Sequence, residues 1–237
     1  MDAVSRRIVD RLVDRIVRQP KPCDALLRFV YYTEEFVERY DIEGVLPHLT
    51  DDERDAMRKH FRDEMAHSVA LRRYCQEEGL PIERSPLEEA LIQRSDEGYA
   101  QYLRHLDPAT NRFTPAEMYA YYAHVNVQED VANVLYSAVA NALERHGVHT
   151  RFVKLLRAFA KSEIKHQDYA DDFMSKYEAQ LGRAQCRRIY LRTRVQSLTL
   201  GAGYLREFLR ILVVEHDLDI GPFGWLVRRL PAPAAAA

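Results

Sequence analysis

Glycine and proline are scarce, at 9 and 10 of 237 residues, and they fall between long stretches of helical periodicity. No Asn-Gly pair occurs and no segment sustains a period of two, which excludes a hairpin-built sheet protein. Cysteine is limited to Cys23, Cys75 and Cys186, without a C-x-x-C pair. Such scattered thiols are neither a disulfide framework nor a thiolate zinc site, and they suit a reducing, cytoplasmic setting. A formal net charge of −2 gives no global drive toward nucleic acid or an anionic bilayer. No apolar run approaches the ~18 residues of a membrane span, so no membrane partner is expected. The opening MDAVSRRIVDRLVDRIVRQ mixes acids and arginines with aliphatics and lacks an apolar h-region, so it reads neither as a secretory signal nor as a transit peptide. Hydrophobic residues at 47% and charged ones at 30% describe a chain with a real core. A single helical domain over residues 1–230 is expected, with 231–237 (PAPAAAA) a disordered tail.

Helix starts are well marked. Thr50-Asp-Asp-Glu53, Ser85-Pro-Leu-Glu88 and Thr114-Pro-Ala-Glu117 are capping boxes, in which the hydroxyl accepts an orphan backbone N–H and the glutamate reaches back to the cap. Proline stands at the first helical position in the last two. Periodicity predicts helices over 4–18, 23–41, 51–78, 86–106, 115–146 and 151–181, and a C-terminal set from 184 to 216. The fold class is all-α. Short loops join 23–41 to 51–78 and 115–146 to 151–181, and a long passage separates the two pairs, the connectivity of a four-helix bundle with one long crossover. Val4, Ile8, Leu12 and Ile16 form the row by which the first helix would pack on that bundle.

Each of the four long helices interrupts its apolar stripe with a glutamate. In 23–41 the stripe is Leu27, Val30, Glu34, Val37, with Glu35 the near alternative; in 51–78 it is Met57, Phe61, Glu64, His67, Leu71, Tyr74. In 115–146 it is Met118, Tyr122, Val125, Glu129, Ala132, Tyr136, and in 151–181 Phe152, Leu156, Phe159, Glu163, His166, Ala170, Phe173. Charge in the middle of an apolar face is costly unless it is paired or bound to metal. Glu64-x-x-His67 and Glu163-x-x-His166 each put a carboxylate and an imidazole on one helical face. Glu34, Glu64, His67, Glu129, Glu163 and His166 thus supply four carboxylates and two imidazoles. Against two divalent ions that set is neutral; without metal it repels itself.

The pattern E…E-x-x-H…E…E-x-x-H over roughly 22–181 resembles the ferritin-like di-iron carboxylate superfamily. The resemblance implies a ferritin-like bundle holding two Fe ions, with Mn the usual substitute. Glu64 and Glu163 would bridge, Glu34 and Glu129 would be terminal, and His67 and His166 would each take one ion. With both Glu-x-x-His motifs complete and no four-cysteine module, it is closest to the oxygenase and oxidase branches. Those imply O₂ as co-substrate, an external electron donor and a small organic substrate in the bundle core. A non-catalytic iron-binding or iron-detoxifying protein and a tRNA-modifying hydroxylase are the alternatives.

Several residues stay open. His60 lies one turn before Glu64 and reads either as a third imidazole at the irons or as a half-exposed side chain between Lys59 and Arg62. In arylamine N-oxygenases the third histidine lies on the fourth helix, where this chain has Phe159. His124 and Asp130 fall off the stripe beside Glu129, outside the ligand set or at the surface. Tyr31, Tyr32, Tyr122 and Tyr136 line a channel or simply pack. Residues 183–210 carry Arg183, Arg187, Arg188, Arg192, Arg194, Arg206 and Arg210 against Glu207 alone. That is a solvated face or a dock for an acidic partner: a ferredoxin-like reductant, a substrate-bearing carrier protein or RNA. Leu198–Leu200 and Ile211–Val214 pack this segment down or form a homodimer face.

Overall fold

The computed structural model describes residues 3–100 and 103–229, so the 231–237 tail lies outside the described residues. Among the described residues the chain is all-α apart from one short antiparallel ladder, Leu106–Asp107 (β1) with Arg112–Phe113 (β2). All three capping boxes form. Glu53 N donates to Thr50 Oγ1 at 3.4 Å and Thr50 N to Glu53 Oε2 at 2.9 Å, starting α5 (Asp51–Glu77). Ser85 with Glu88 opens α6 (Pro86–Ala100), and Thr114 with Glu117 opens α7 (Pro115–His146). Gly147, at φ +67°, closes α7, and His149, at φ +51°, turns the chain into α8 (Thr150–Leu181).

The helix expected over 23–41 is broken. Preceding it is α1 (Ala3–Val17); α2 spans Pro20–Glu34, α3 Phe36–Arg39 and α4 Ile42–Val45, before a 3₁₀ turn at Leu46–His48. Interactions of Thr33 and Glu35 flank the break after Glu34. The Thr33 hydroxyl donates to the Val30 carbonyl at 2.8 Å, competing with the helical ladder. Glu35 meanwhile accepts from Tyr31 Oη at 2.7 Å and pairs with Arg39 and Arg84. Toward the C-terminus, α9 is one continuous helix, Arg183–Val214, and α10 (Pro222–Arg228) follows.

α2 packs on α5, α7 on α8, and α5 on α8; α1 lies against α2 and α7, and α9 against α6 and α7. The inward row of α1 is Val9, Leu12, Val13, Ile16 and Val17; Leu12 and Ile16 of the expected row pack inward, whereas Ile8 is 61% exposed. On α9, Ile211, Leu212 and Val213 are buried, whereas Leu198 and Leu200 face outward and do not pack.

The interior is divided. One apolar cluster gathers Leu27, Val30, Leu71, Tyr136, Phe152 and Phe159 around the α7–α8 turn. A second gathers Met57, Met118, Tyr122, Val125, Ala170 and Phe173 at the opposite ends of the same helices. Between Met57 and Leu71 on α5, Val125 and Tyr136 on α7, and Phe159 and Ala170 on α8 lies a layer of glutamates and histidines.

Candidate metal centre

Each helix delivers its side chains to that layer by simple periodicity. α5 presents His60, Glu64 and His67 at i, i+4 and i+7; α8 presents Glu163 and His166; α7 and α2 present Glu129 and Glu34. All six residues singled out by sequence come together there, and His60 joins them. Two groups form, Glu34–Glu64–His67–Glu163 and His60–Glu64–Glu129–His166, each with one donor atom per residue within 4.8 Å of the others.

Glu64 and Glu163 stand between the two groups. Glu64 Oε1 is 3.1 Å from His60 Nε2 and 2.9 Å from His166 Nδ1, while its Oε2 is 3.5 Å from His67 Nδ1. Glu163 Oε2 is 2.8 Å from His166 Nδ1 and its Oε1 3.4 Å from His67 Nδ1. Glu34 Oε2 is 3.5 Å from His67 Nδ1, and Glu129 Oε1 3.3 Å from His60 Nε2. Glu35 is elsewhere, tied to Tyr31, Arg39 and Arg84, so the choice between the neighbours falls to Glu34.

Burial, then the nearby Glu64 charge, pushes the Glu34 and Glu129 carboxyls well above the usual carboxylate range. Burial works the same way on Glu64, but the imidazoles of His166, His60 and His67 overcome it and hold Glu64 well below that range. Burial opposes charging of the imidazoles, yet Glu34 and Glu64 push His67 up to about 10, and Glu163 and Glu64 push His166 up to about 9. Protons thus supply the positive charge that four crowded carboxylates demand.

The residues fit a metal. Glu34 Oε2, His67 Nδ1 and Glu163 Oε1 are buried without a hydrogen-bond partner although they face one another at 3.4–3.5 Å. Those separations exceed a good N–H···O bond, and each unsatisfied buried atom costs roughly 1–3 kcal/mol. Mixed carboxylate and imidazole donors suit iron, manganese and their neighbours. Apolar walls are close: Phe159 lies 4.1 Å, ring to ring, from His67, and Tyr169 5.8 Å from His60.

Other residues are placed as follows. His60 is buried, which removes the half-exposed reading. Asp63 escaped notice because it reaches across to another helix, its Oδ2 lying 3.6 Å from His166 Nε2. His124 is buried against α9, its Nδ1 2.9 Å from Ser197 Oγ, so it is not a surface group; Asp130 is half-buried. Tyr31, Tyr32, Tyr122 and Tyr136 are all core residues. A cleft of about 670 Å³ is lined by Glu35, Glu38, Arg39, Arg84, Ser85 and Glu89 among others, none of them in the cluster. Arg187, Arg188, Arg192 and Arg194 are exposed on α9, while Arg206 and Arg210 pair with buried Glu207. Among the described residues no helix is long and apolar enough to cross a membrane. No family model matches the chain, and neither any curated protein nor any solved structure matches it.

Proposed function

We propose that this chain is a ferritin-like, non-haem di-iron oxygenase or oxidase that oxidises a small organic substrate in the core of its helical bundle. The observation that carries the reading is the convergence of four carboxylates and the paired Glu-x-x-His imidazoles from four helices, with buried donor atoms that find no hydrogen bond. Glu34 with His67 would hold one ion, Glu129 with His166 the other, and Glu64 and Glu163 would bridge them. When bound, the pair of irons, or manganese in their place, supplies activation of O₂, with electrons from an external donor.

The chain's own residues set the conditions. Glu64 and Glu163 each divide their two oxygens between the half-sites and would be shared by whatever is bound in both. The apolar clusters on both sides exclude water and restrict side reactions. Asp63 Oδ2 lies 3.6 Å from the outer nitrogen of His166, near enough to favour a charged ring but without a hydrogen bond to it. The exposed arginines of α9 are the surface on which an acidic electron donor or carrier protein would be met, and the outward Leu198 and Leu200 beside them are the face available to a homodimer.

A tRNA-modifying hydroxylase with the same centre is the second reading, favoured by exposed Arg187, Arg188, Arg192 and Arg194. The aromatics that would stack on bases, Tyr190 and Tyr204, are half-buried, which weighs against it. Iron storage or detoxification would need the same ligands but no substrate space.

Metal content after anaerobic Fe(II) loading and desalting is the test. Two irons per chain are expected, one for each donor group. Glu64→Ala should lose both, Glu34→Ala one, and Glu35→Ala neither. A folded wild-type protein that retains no iron would reduce the cluster to a polar core and end the enzyme reading.

A further inference from the structure

His60 makes the two half-sites chemically different. Along α5 it lies one turn before Glu64 and His67 one turn after, so the two imidazoles flank the shared carboxylate on opposite sides. His67 faces Glu34, Glu64 and Glu163 and no other imidazole at comparable range, its ring centroid being 6.3 Å from that of His166. His60 faces the other way. Its Nε2 is 3.1 Å from Glu64 Oε1 and 3.3 Å from Glu129 Oε1, and its ring centroid is 4.3 Å from that of His166. Nothing at the surface claims it: the side chain is 8% exposed, and its Nδ1 has no hydrogen-bond partner among the described residues. Tyr169 and the adjacent Phe61 hold the ring by edge contacts at 5.8 and 6.1 Å.

Resting on the dinuclear reading above, we infer that His60 is a third imidazole ligand, confined to the half-site of Glu129 and His166, and that the centre therefore fills in two steps of unequal affinity. The Glu34 half-site offers one nitrogen among carboxylate oxygens; the Glu129 half-site offers two nitrogens. Imidazole favours the later divalent ions of the first row, whereas carboxylate-rich sets accept manganese. Cobalt(II) should enter the Glu129 half-site first, and manganese should discriminate least against the Glu34 half-site.

Anaerobic titration of the full chain with Co(II), followed by visible absorption and bound-metal analysis, tests this. Wild type should take up two ions in resolved steps. His60→Ala should weaken the tighter step by at least about tenfold and leave the weaker one in place. His67→Ala should do the reverse. His60→Gln fills the same space with a poor ligand, so it keeps the test open if the alanine variant misfolds by circular dichroism; it should behave as His60→Ala does. Glu129→Gln should weaken the same step as His60→Ala. Folded His60 variants that retain both steps at wild-type affinity would overturn the assignment and leave the dinuclear reading standing. A folded wild type that binds no cobalt or iron would overturn both.

Discussion

At the scale of the residue, burial sets which protonation state each side chain can hold. His124 shows this away from the metal layer. It is enclosed between α7 and α9, and burial pushes its imidazole down to about 3. The unfolded chain binds a proton there near the ordinary value of 6.5, and the folded chain does not. Stability is therefore unaffected above pH ~6.5 and falls as pH drops below it, by up to about 1.4 kcal/mol per pH unit from this group alone. Replacing His124 by Gln should flatten the acid limb of a urea-midpoint profile between pH ~6.5 and ~4.5. An unchanged slope would mean that the native ring still takes up a proton.

The placement of Glu34, Glu64, Glu129 and Glu163 was legible in the sequence for the same physical reason. A carboxylate inside an apolar stripe demands compensation, and four stripes interrupted at one depth demand a common one. What spacing could not decide was direction. Glu34 and Glu35 differ by one residue, and Glu35 is claimed by Arg39 one turn on and by Arg84 from a distant segment, which spacing does not reveal. His60 stayed ambiguous because its polar neighbours Lys59 and Arg62 suggested solvent, although its own side chain turns inward.

At the scale of the element, local signals fared best where backbone hydrogen bonding alone sets a boundary. The three capping boxes formed where their spacing placed them, since the partners lie within one turn. The break after Glu34 was hidden, the interactions that flank it being a Thr33 back-bond and an ion pair across the fold. The β1–β2 ladder was hidden too, being only two residues a side. The α7–α8 turn depends on two left-handed residues, Gly147 and His149. A Cβ at Gly147 would meet nothing within 4 Å, so Gly147→Ala should cost about 1 kcal/mol through backbone strain alone, without altering metal content. A urea midpoint equal to that of wild type would show that the turn tolerates a side chain at this φ.

At the scale of the whole molecule, the glutamate and histidine layer separates two apolar clusters that would otherwise be continuous along the same helices. A metal bound there would join them, and its ligation would add stability by mass action. Free metal at a hundred times its dissociation constant adds about 2.7 kcal/mol. The thermal midpoint should therefore rise with Fe(II) or Co(II) concentration in wild type and hardly move in Glu64→Ala. A midpoint indifferent to metal in the wild type would show that the layer carries no ion.

That divided interior has a consequence for the lifetime of the chain in a cell. With metal in the layer, the two halves would be held together by a scarce ion, and the chain would open more often when that ion is absent, exposing it to proteases. Its abundance would then follow iron supply without any change in synthesis, so that degradation itself clears the apoprotein and spares the loaded form.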